Sequence, residues 1–463
     1  MEENLEMNLS LKEYISAKKP IHVIGIGGVS MSALAELLLS LGVEITGSDR
    51  SHSKVTERLE RLGAKITYAH LPENVENTSL VVRTAAVHDD NPEIIRAREK
   101  NIPIMERAEA WGNIMTDYEN VVCMSGTHGK TTTTSMMTLM AIKADKDPTV
   151  MVGSHLPAID GTLRIGGKDY FVAESCEYCN SFLNFCPTIA VILNIEADHL
   201  DFFKDLDDII HSFRMFALRT PENGLVIVNG DDGNAMKSVE GINRRIMTFG
   251  FGENCDVRAE NMMVKNGYYS FDVIIKGEKY TSITLSVPGK HNVLNALAAI
   301  GASYELKMDK EKAKKGLEAF TGSSRRFQKL GQMKCGAVVV DDYAHHPSEM
   351  RATLETARSM NFERIVCAFQ PHTYTRTKAL FNEFVDALKM CDKAILAPIY
   401  AAREQNTIGI YSSDIADKVK DAIALDSFEE IEEYLRKNAR NGDLIITMGA
   451  GNINSIGYNL VAE

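Results

Sequence analysis

No apolar run in the chain approaches the 18 or so residues of a membrane span, which excludes a helical transmembrane anchor from its expected organisation. An excess of basic charge is also missing: 51 Lys and Arg stand against 63 Asp and Glu, a formal net charge of −12. Binders of nucleic acid or anionic membranes draw affinity from clustered cations, so this balance argues against either role. Cysteines are sparse and scattered, eight in 463 residues, and a disulfide framework is not expected. There is no short-period repeat and no low-complexity segment. The opening MEENLEMNLSLKEYISAKKP lacks the basic start and apolar core of a signal peptide, so the expected compartment is the cytoplasm.

What the sequence does have is a strand–loop–helix rhythm, repeated in three blocks. The first holds an apolar strand at 21–24, the turn Gly25-Ile26-Gly27-Gly28, a helical pattern at 32–41, and short strands at 43–47, 65–68, 80–83 and 102–105. Such alternation predicts a parallel sheet with right-handed crossovers. Polar residues 116–120 read as a linker. The second block has strands at 170–173, 189–193 and 225–229. Its tail, 256–287, alternates polar and apolar residues, predicting antiparallel strands with turns at Asn266-Gly267 and Lys276-Gly277. Residues 289–304 return to helix. The third block starts near Gly322-Ser323-Ser324 and repeats the rhythm at 337–340, 364–368, 393–397 and 443–447. The expectation is an α/β protein of three domains, residues 1–118, 119–322 and 323–463.

The second block opens with Ser125-Gly126-Thr127-His128-Gly129-Lys130-Thr131-Thr132, between an apolar strand and a helical stretch. Backbone N–H groups and a helix dipole converge there to cradle phosphate. Lys130 is spaced to reach the β/γ-phosphates and the Thr131 hydroxyl to ligate Mg²⁺. The usual phosphate loop, G-x-x-x-x-G-K-[ST], has glycine where Met124 stands, so this is a particular kind of ATP site. Glu174 ends the strand at 170–173, and His199 follows the strand at 189–193. Residues at the C-terminal ends of parallel strands line the ligand crevice. A carboxylate there suits Mg²⁺, which prefers oxygen; histidine is a less usual ligand, and contact with the transferring phosphate is its alternative.

Gly25 to Ser30, with Asp49 after the second strand, is close to a dinucleotide fingerprint, but Ser30 replaces the third glycine. NAD binding, a diphosphate on the helix N-terminus and a turn shaped by packing all fit. Cys176-Glu177-Tyr178-Cys179 has no second ligand pair and reads as packed thiols rather than zinc ligands. Asn292 and Asn295 share a helix face, and their amides match an adenine edge. Two further loops after strands are dense in polar chemistry, Asp341-Asp342-Tyr343-Ala344-His345-His346-Pro347 and Gln370 to Thr377.

In chain order, GIGGVSMSALA, SGTHGKTTTT, NIEADHLD, PGKHNVLNALAA, RRFQ, DDYAHHP and FQPHTYTRTK resemble the Mur ligase family over essentially the whole length, and within it the ligases that add L-alanine. The resemblance implies a Rossmann-like N-terminal domain for a UDP sugar, a central P-loop ATPase domain with a mixed sheet, and a Rossmann-like C-terminal domain for the amino acid. It implies ATP-dependent joining of L-alanine to the lactyl carboxylate of UDP-N-acetylmuramate through an acyl phosphate. ATP and Mg²⁺ are the implied cofactors, in a monomer or weak homodimer. Position by position, it implies Gly126, Thr127, His128, Gly129, Lys130, Thr131 and Thr132, with Asn292 and Asn295, for ATP. Thr131, Glu174 and His199 match the metal site, and Lys130, Glu174, His199, Arg326 and Asp342 the catalytic set. Gly25, Gly27, Gly28, Ser30, Asp49 and His70 fall to the UDP sugar, and Tyr343, His345 and Arg376 to the incoming alanine. Some relatives carry Arg at the position of Thr373, which leaves that contact open. A recycling ligase that attaches an intact tripeptide shares several of these segments; FQPHTYTRTK favours the alanine enzyme. The alanine amine must lose a proton, and His199, His345 and Asp342 are the candidate acceptors.

Overall fold

The computed structural model describes residues 10–84, 86–402 and 404–462, which form two compact units. The first runs to Cys255 and adds Ala298–Ala313; the second comprises Asp256–Leu297 and the chain from Lys314 onward. Among the described residues no helix is long and apolar enough to cross a membrane.

The first unit contains two sheets. One has five strands, β1 (Ile21–Ile24), β2 (Ile45–Ser48), β3 (Lys65–Thr67), β4 (Leu80–Arg83) and β5 (Ile104–Glu106), in the order β3-β2-β1-β4-β5. All its pairings are parallel. All four residues of β1 are buried, as expected of a strand covered on both faces. The strand order reverses between β1 and β4, and a crevice opens at such a point beyond the strands' C-terminal ends. The turn after β1 lies there and leads into the helix Val29–Ser40, whose Leu34, Leu37 and Leu38 pack inward.

The other sheet of this unit contains β6 (Asn120–Ser125), β7 (Thr149–Leu156), β8 (Gly161–Arg164), β9 (Tyr170–Glu174), β10 (Ile189–Ile192), β11 (Leu225–Asn229) and β12 (Arg245–Gly250). Their order is β12-β11-β10-β6-β9-β7-β8, with β8 antiparallel on the edge. The sequence pattern did not predict β7, β8 or β12. β7 is apolar only in its first half; Gly153, Ser154 and His155 project beyond the core and break the signature. A large apolar core is shared by the two sheets, with Trp111 edge-on to Phe171 and Phe182 stacked on Phe216, and a smaller cluster of Ile24, Val75, Val81, Ile94 and Ala97 lies apart from it.

The helix Arg107–Met115 approaches the segment Tyr178–Asn184 through Gly112, where an added Cβ would lie 2.0 Å from the Asn184 carbonyl oxygen. Backbone cannot yield as a side chain does. Gly112→Ala is therefore expected to lower stability by about 1–3 kcal/mol through overpacking, read as a drop in melting temperature. An unchanged melting temperature would disprove the close packing.

The second unit begins with an antiparallel meander, β13 (Val257–Lys265), β14 (Tyr268–Ile275) and β15 (Glu278–Pro288). Asn266-Gly267 and Lys276-Gly277 form the expected two-residue turns, with φ of 50°, 81°, 51° and 88°. A six-stranded sheet follows, made of β16 (Gln328–Gln332), β17 (Val338–Asp342), β18 (Arg364–Phe369), β19 (Lys393–Leu396), β20 (Ile423–Ala424) and β21 (Asp443–Met448). Its order is β16-β17-β21-β18-β19-β20, and only the edge strand β16 is antiparallel. β16 and β20 were absent from the sequence expectation: the first reads Gln-Lys-Leu-Gly-Gln, and the second has two residues.

Candidate active site

β6 ends at Ser125, and the chain turns at Gly126 (φ 141°) before Gly129 (φ 84°) starts the helix Lys130–Lys143. A Cβ on Gly126 would lie 2.9 Å from Leu193 Cβ, so the loop follows the end of β10 closely. The next segment laces it in place. Asn194 Oδ1 accepts from the His128 N–H at 2.8 Å, and Asn194 Nδ2 donates to the His128 carbonyl at 3.1 Å. The Glu196 N–H donates to Thr127 Oγ1 at 2.9 Å, and His128 Nε2 lies 3.4 Å from Glu196 Oε2. Two motifs 66 residues apart are thus one structural element.

Lys130, Thr131, Glu174 and His199 gather at this loop. The Lys130 ammonium donates to the Gly126 and Thr127 carbonyls and to Glu177, at 3.0 Å from Oε2. Burial works against its charge, but Glu177, Cys176 and Glu174 together outweigh burial and the net direction is upward. Thr131 Oγ1 donates to Glu174 Oε1 at 3.0 Å, while the Gly153 N–H donates to Glu174 Oε2 at 2.6 Å. His199 packs against the Tyr178 ring, 4.7 Å between centroids, with Nε2 3.8 Å from Glu177. Glu177, 2% exposed, is the residue the sequence reading passed over. In the sequence it stands inside a Cys-x-x-Cys segment, three residues after Glu174. The cysteines themselves are all free thiols.

At the other glycine turn, Asp49 is occupied by backbone: the Gly27 N–H donates to Oδ2 at 2.8 Å, and the Arg50 and Ser51 N–H groups donate to Oδ1. Asp49 therefore pins the turn. His70 belongs to a buried network centred on Glu93, which is fully buried and accepts from His22, His70, Ser48 and Asn74. Burial alone would raise the Glu93 pKa; His22 and Asn74 as donors outweigh it and the net direction is down. A cavity of about 410 Å³ has Gly25, Gly28 and Ser30 on one side and Gly153, Glu174 and Cys176 on another. Glu174 thus touches both the phosphate loop and the cavity fed by the first glycine turn.

The remaining candidates lie in the second unit. Asp342 is buried and accepts from the Phe327 N–H (2.9 Å), the Ala344 N–H (2.8 Å) and Thr353 Oγ1 (3.2 Å). Burial pushes its carboxyl up to about 6. Arg325 and Arg326 both lie over the Tyr343 ring, and Arg326 is 3.7 Å from Glu349. His345 Nδ1 is 3.0 Å from the Tyr343 carbonyl oxygen, and its ring is edge-on to His372, which contacts Arg376 at 3.3 Å. Thr373 caps the helix Tyr374–Ala379 by accepting from the Arg376 N–H. Asn292 and Asn295 are bonded to each other at 3.0 Å, and Asn292 also donates to the Pro288 carbonyl. Their neighbour His291 is held to a pKa of about 4 by burial, beside Glu349 and Arg326.

Family models match nearly the whole chain in three consecutive pieces: the Mur ligase family catalytic domain at residues 20–119, the Mur ligase middle domain at 124–303 and the Mur ligase glutamate ligase domain at 325–451. Among curated relatives, the UDP-N-acetylmuramate–L-alanine ligase of Acetivibrio thermocellus is 51% identical over 95% of both chains. That of Lachnospira eligens is 48% identical over 96% of this chain and 99% of its own. The crystal structure of UDP-N-acetylmuramate-alanine ligase from Thermotoga maritima superposes with a TM-score of 0.80 at 30% identity, covering 96% of this chain and 98% of the other.

Proposed function

The chain belongs to the Mur ligase family, and on that premise we propose that it joins L-alanine to the lactyl carboxylate of UDP-N-acetylmuramate, converting ATP to ADP and phosphate. The reaction serves peptidoglycan precursor synthesis in the cytoplasm. The observation that carries the reading is Glu174, one residue shared by the phosphate loop and the 410 Å³ cavity beside the first glycine turn. A nucleophile seated in that cavity meets a γ-phosphate seated on the loop.

Three functional regions follow, residues 1–118 for the sugar nucleotide, 119–322 for ATP and 323–463 for alanine, in a monomer or weak homodimer. Each of the two doubly wound sheets falls within one region. The diphosphate rests on the turn Gly25, Gly27, Gly28 and Ser30, kept in shape by Asp49, with His70 beside it. ATP takes the loop Gly126–Thr132, with Asn292 and Asn295 as its base contacts. Mg²⁺ fits the oxygens of Thr131 and Glu174, 3.0 Å apart, and would neutralise phosphate charge there. His199, a nitrogen donor next to Glu177, suits a phosphate contact better than a metal bond.

The lactyl carboxylate oxygen bonds to the γ-phosphorus as the bridging bond to ADP breaks. Two anions approach each other in that step, and Lys130 with the loop N–H groups offsets their repulsion. The alanine amine then attacks the acyl carbon, phosphate leaves, and the surplus amine proton goes to a base. Asp342 is a poor acceptor because its oxygens are engaged, so it acts by holding the Arg325–Phe327 segment. His345 donates its Nδ1 proton to the Tyr343 carbonyl, which makes Nε2 the basic nitrogen, and it sits with Tyr343 and Arg376.

The direct test is ADP release from ATP and UDP-N-acetylmuramate with different amino acids. Release is expected with L-Ala, with weaker turnover on Gly and L-Ser, since one methyl or hydroxyl changes pocket affinity by only about 1–3 kcal/mol. Release that needs a tripeptide instead of alanine would overturn the assignment.

A further inference from the structure

The described residues lining the sugar cavity include one cation, Arg107, and one carboxylate, Glu174; most of the others are apolar, such as Val29, Met151 and Phe185. Arg107 opens the helix Arg107–Met115, and Trp111, one turn on, faces the same cavity. The guanidinium makes no hydrogen bond or ion pair with the described residues, and burial lowers its pKa. The neighbouring carboxylate of Glu106 does not neutralise it, being taken by Arg83, whose Nε donates to it at 2.8 Å. A desolvated, uncompensated cation is unfavourable unless a ligand completes it. A planar fork of donors fits a carboxylate or a phosphate.

Resting on the ligase reading above, we propose that Arg107 binds the lactyl carboxylate of the sugar nucleotide and aims it at the γ-phosphate. The ligand carries two anionic groups. The diphosphate already has a receptor in the helix N-terminus behind Gly28. Arg107 instead lines the same cavity as Glu174 and Cys176, and Glu174 is hydrogen-bonded to Thr131 of the phosphate loop. The carboxylate is the group that must arrive there. As one of its oxygens bonds to phosphorus and the bridging bond breaks toward ADP, Arg107 keeps its hold on the other oxygen and neither gains nor loses a proton.

The test is a double-mutant cycle in the absence of ATP, read by calorimetric titration and by the fluorescence of Trp111, the chain's single tryptophan. The proteins are wild type, Arg107→Met and Arg107→Lys; the ligands are UDP-N-acetylmuramate and its lactyl methyl ester. Arg107→Met should weaken the acid by roughly 10–100-fold, the range of a charge-assisted pair. The ester should bind wild type about that weakly and lose little more on the variant. Arg107→Lys, keeping charge but not the fork, should recover part of the loss. The melting temperature of Arg107→Met should equal or exceed that of wild type, because an unpaired, half-buried charge has been removed. Equal losses for acid and ester would assign Arg107 to the diphosphate and overturn the proposal, as would unchanged affinity or a lowered melting temperature. Wild type that binds neither ligand and releases no ADP with alanine would sink the ligase reading itself, a distinct result.

Discussion

Lys130→Met is expected to abolish alanine-dependent ADP release, with kcat down by at least ~10³-fold, since one preorganised charge-stabilising group is worth about 10²–10³ and Lys130 also holds its own loop. The substitution has a second consequence. It leaves Glu177, 2% exposed, without its ammonium partner, and breaking one side of a buried pair costs about 3–5 kcal/mol. A plain loss of activity could therefore be mistaken for a loss of fold. Lys130→Met/Glu177→Gln separates the two: stability should return because the stranded charge is gone, while turnover stays lost. Recovery of turnover in the double variant would remove Lys130 from the chemistry. A γ-phosphate on the loop would compete with Glu177 for the same ammonium.

The phosphate loop could be read from sequence because its signal is local. Gly126 and Gly129 take φ values that glycine adopts without strain, and strand, turn and helix follow one another within a few residues. Met124, where an ordinary loop has glycine, is a fully buried strand residue in register with Glu174, so β6 runs on to Ser125 before the turn begins. The hairpin turns of β13–β15 were visible for the same reason. What stayed hidden depended on long-range partners. Glu177 and Arg107 look like surface charges until burial and the engagement of Glu106 by Arg83 are seen. Asp49 sat at the expected acidic position, yet its oxygens hold backbone N–H groups, which no spacing rule reveals. β7 was missed because its second half leaves the core, although that half supplies the Gly153 N–H that orients Glu174.

Asp342→Asn is expected to lower kcat/KM by roughly 10²-fold, the loss that follows from misplacing a site by about 1 Å. An amide can accept at only one of the two oxygen positions. If it keeps the Ala344 N–H, its NH₂ faces the Phe327 N–H and the bond holding Phe327, itself at φ 45°, is lost. An orphaned buried donor costs about 1–3 kcal/mol. Against that, burial lifts the native carboxyl from 3.8 to about 6, so keeping Asp342 ionised in the fold costs ~3 kcal/mol, which the amide avoids. The two effects nearly cancel at pH 7.5, so the melting temperature should stay close to wild type while activity falls. Acid then separates the two proteins. A folded pKa above the unfolded value means that protonation favours the fold: the contribution is complete below about pH 3.8 and lost as pH rises through 6. Wild type should therefore gain ~1 kcal/mol on the variant between pH 7.5 and pH 5. Parallel melting curves across that interval would show that Asp342 is not the buried, uplifted carboxyl on which the Arg325–Phe327 segment depends. A variant retaining full turnover would show that the segment does not need it.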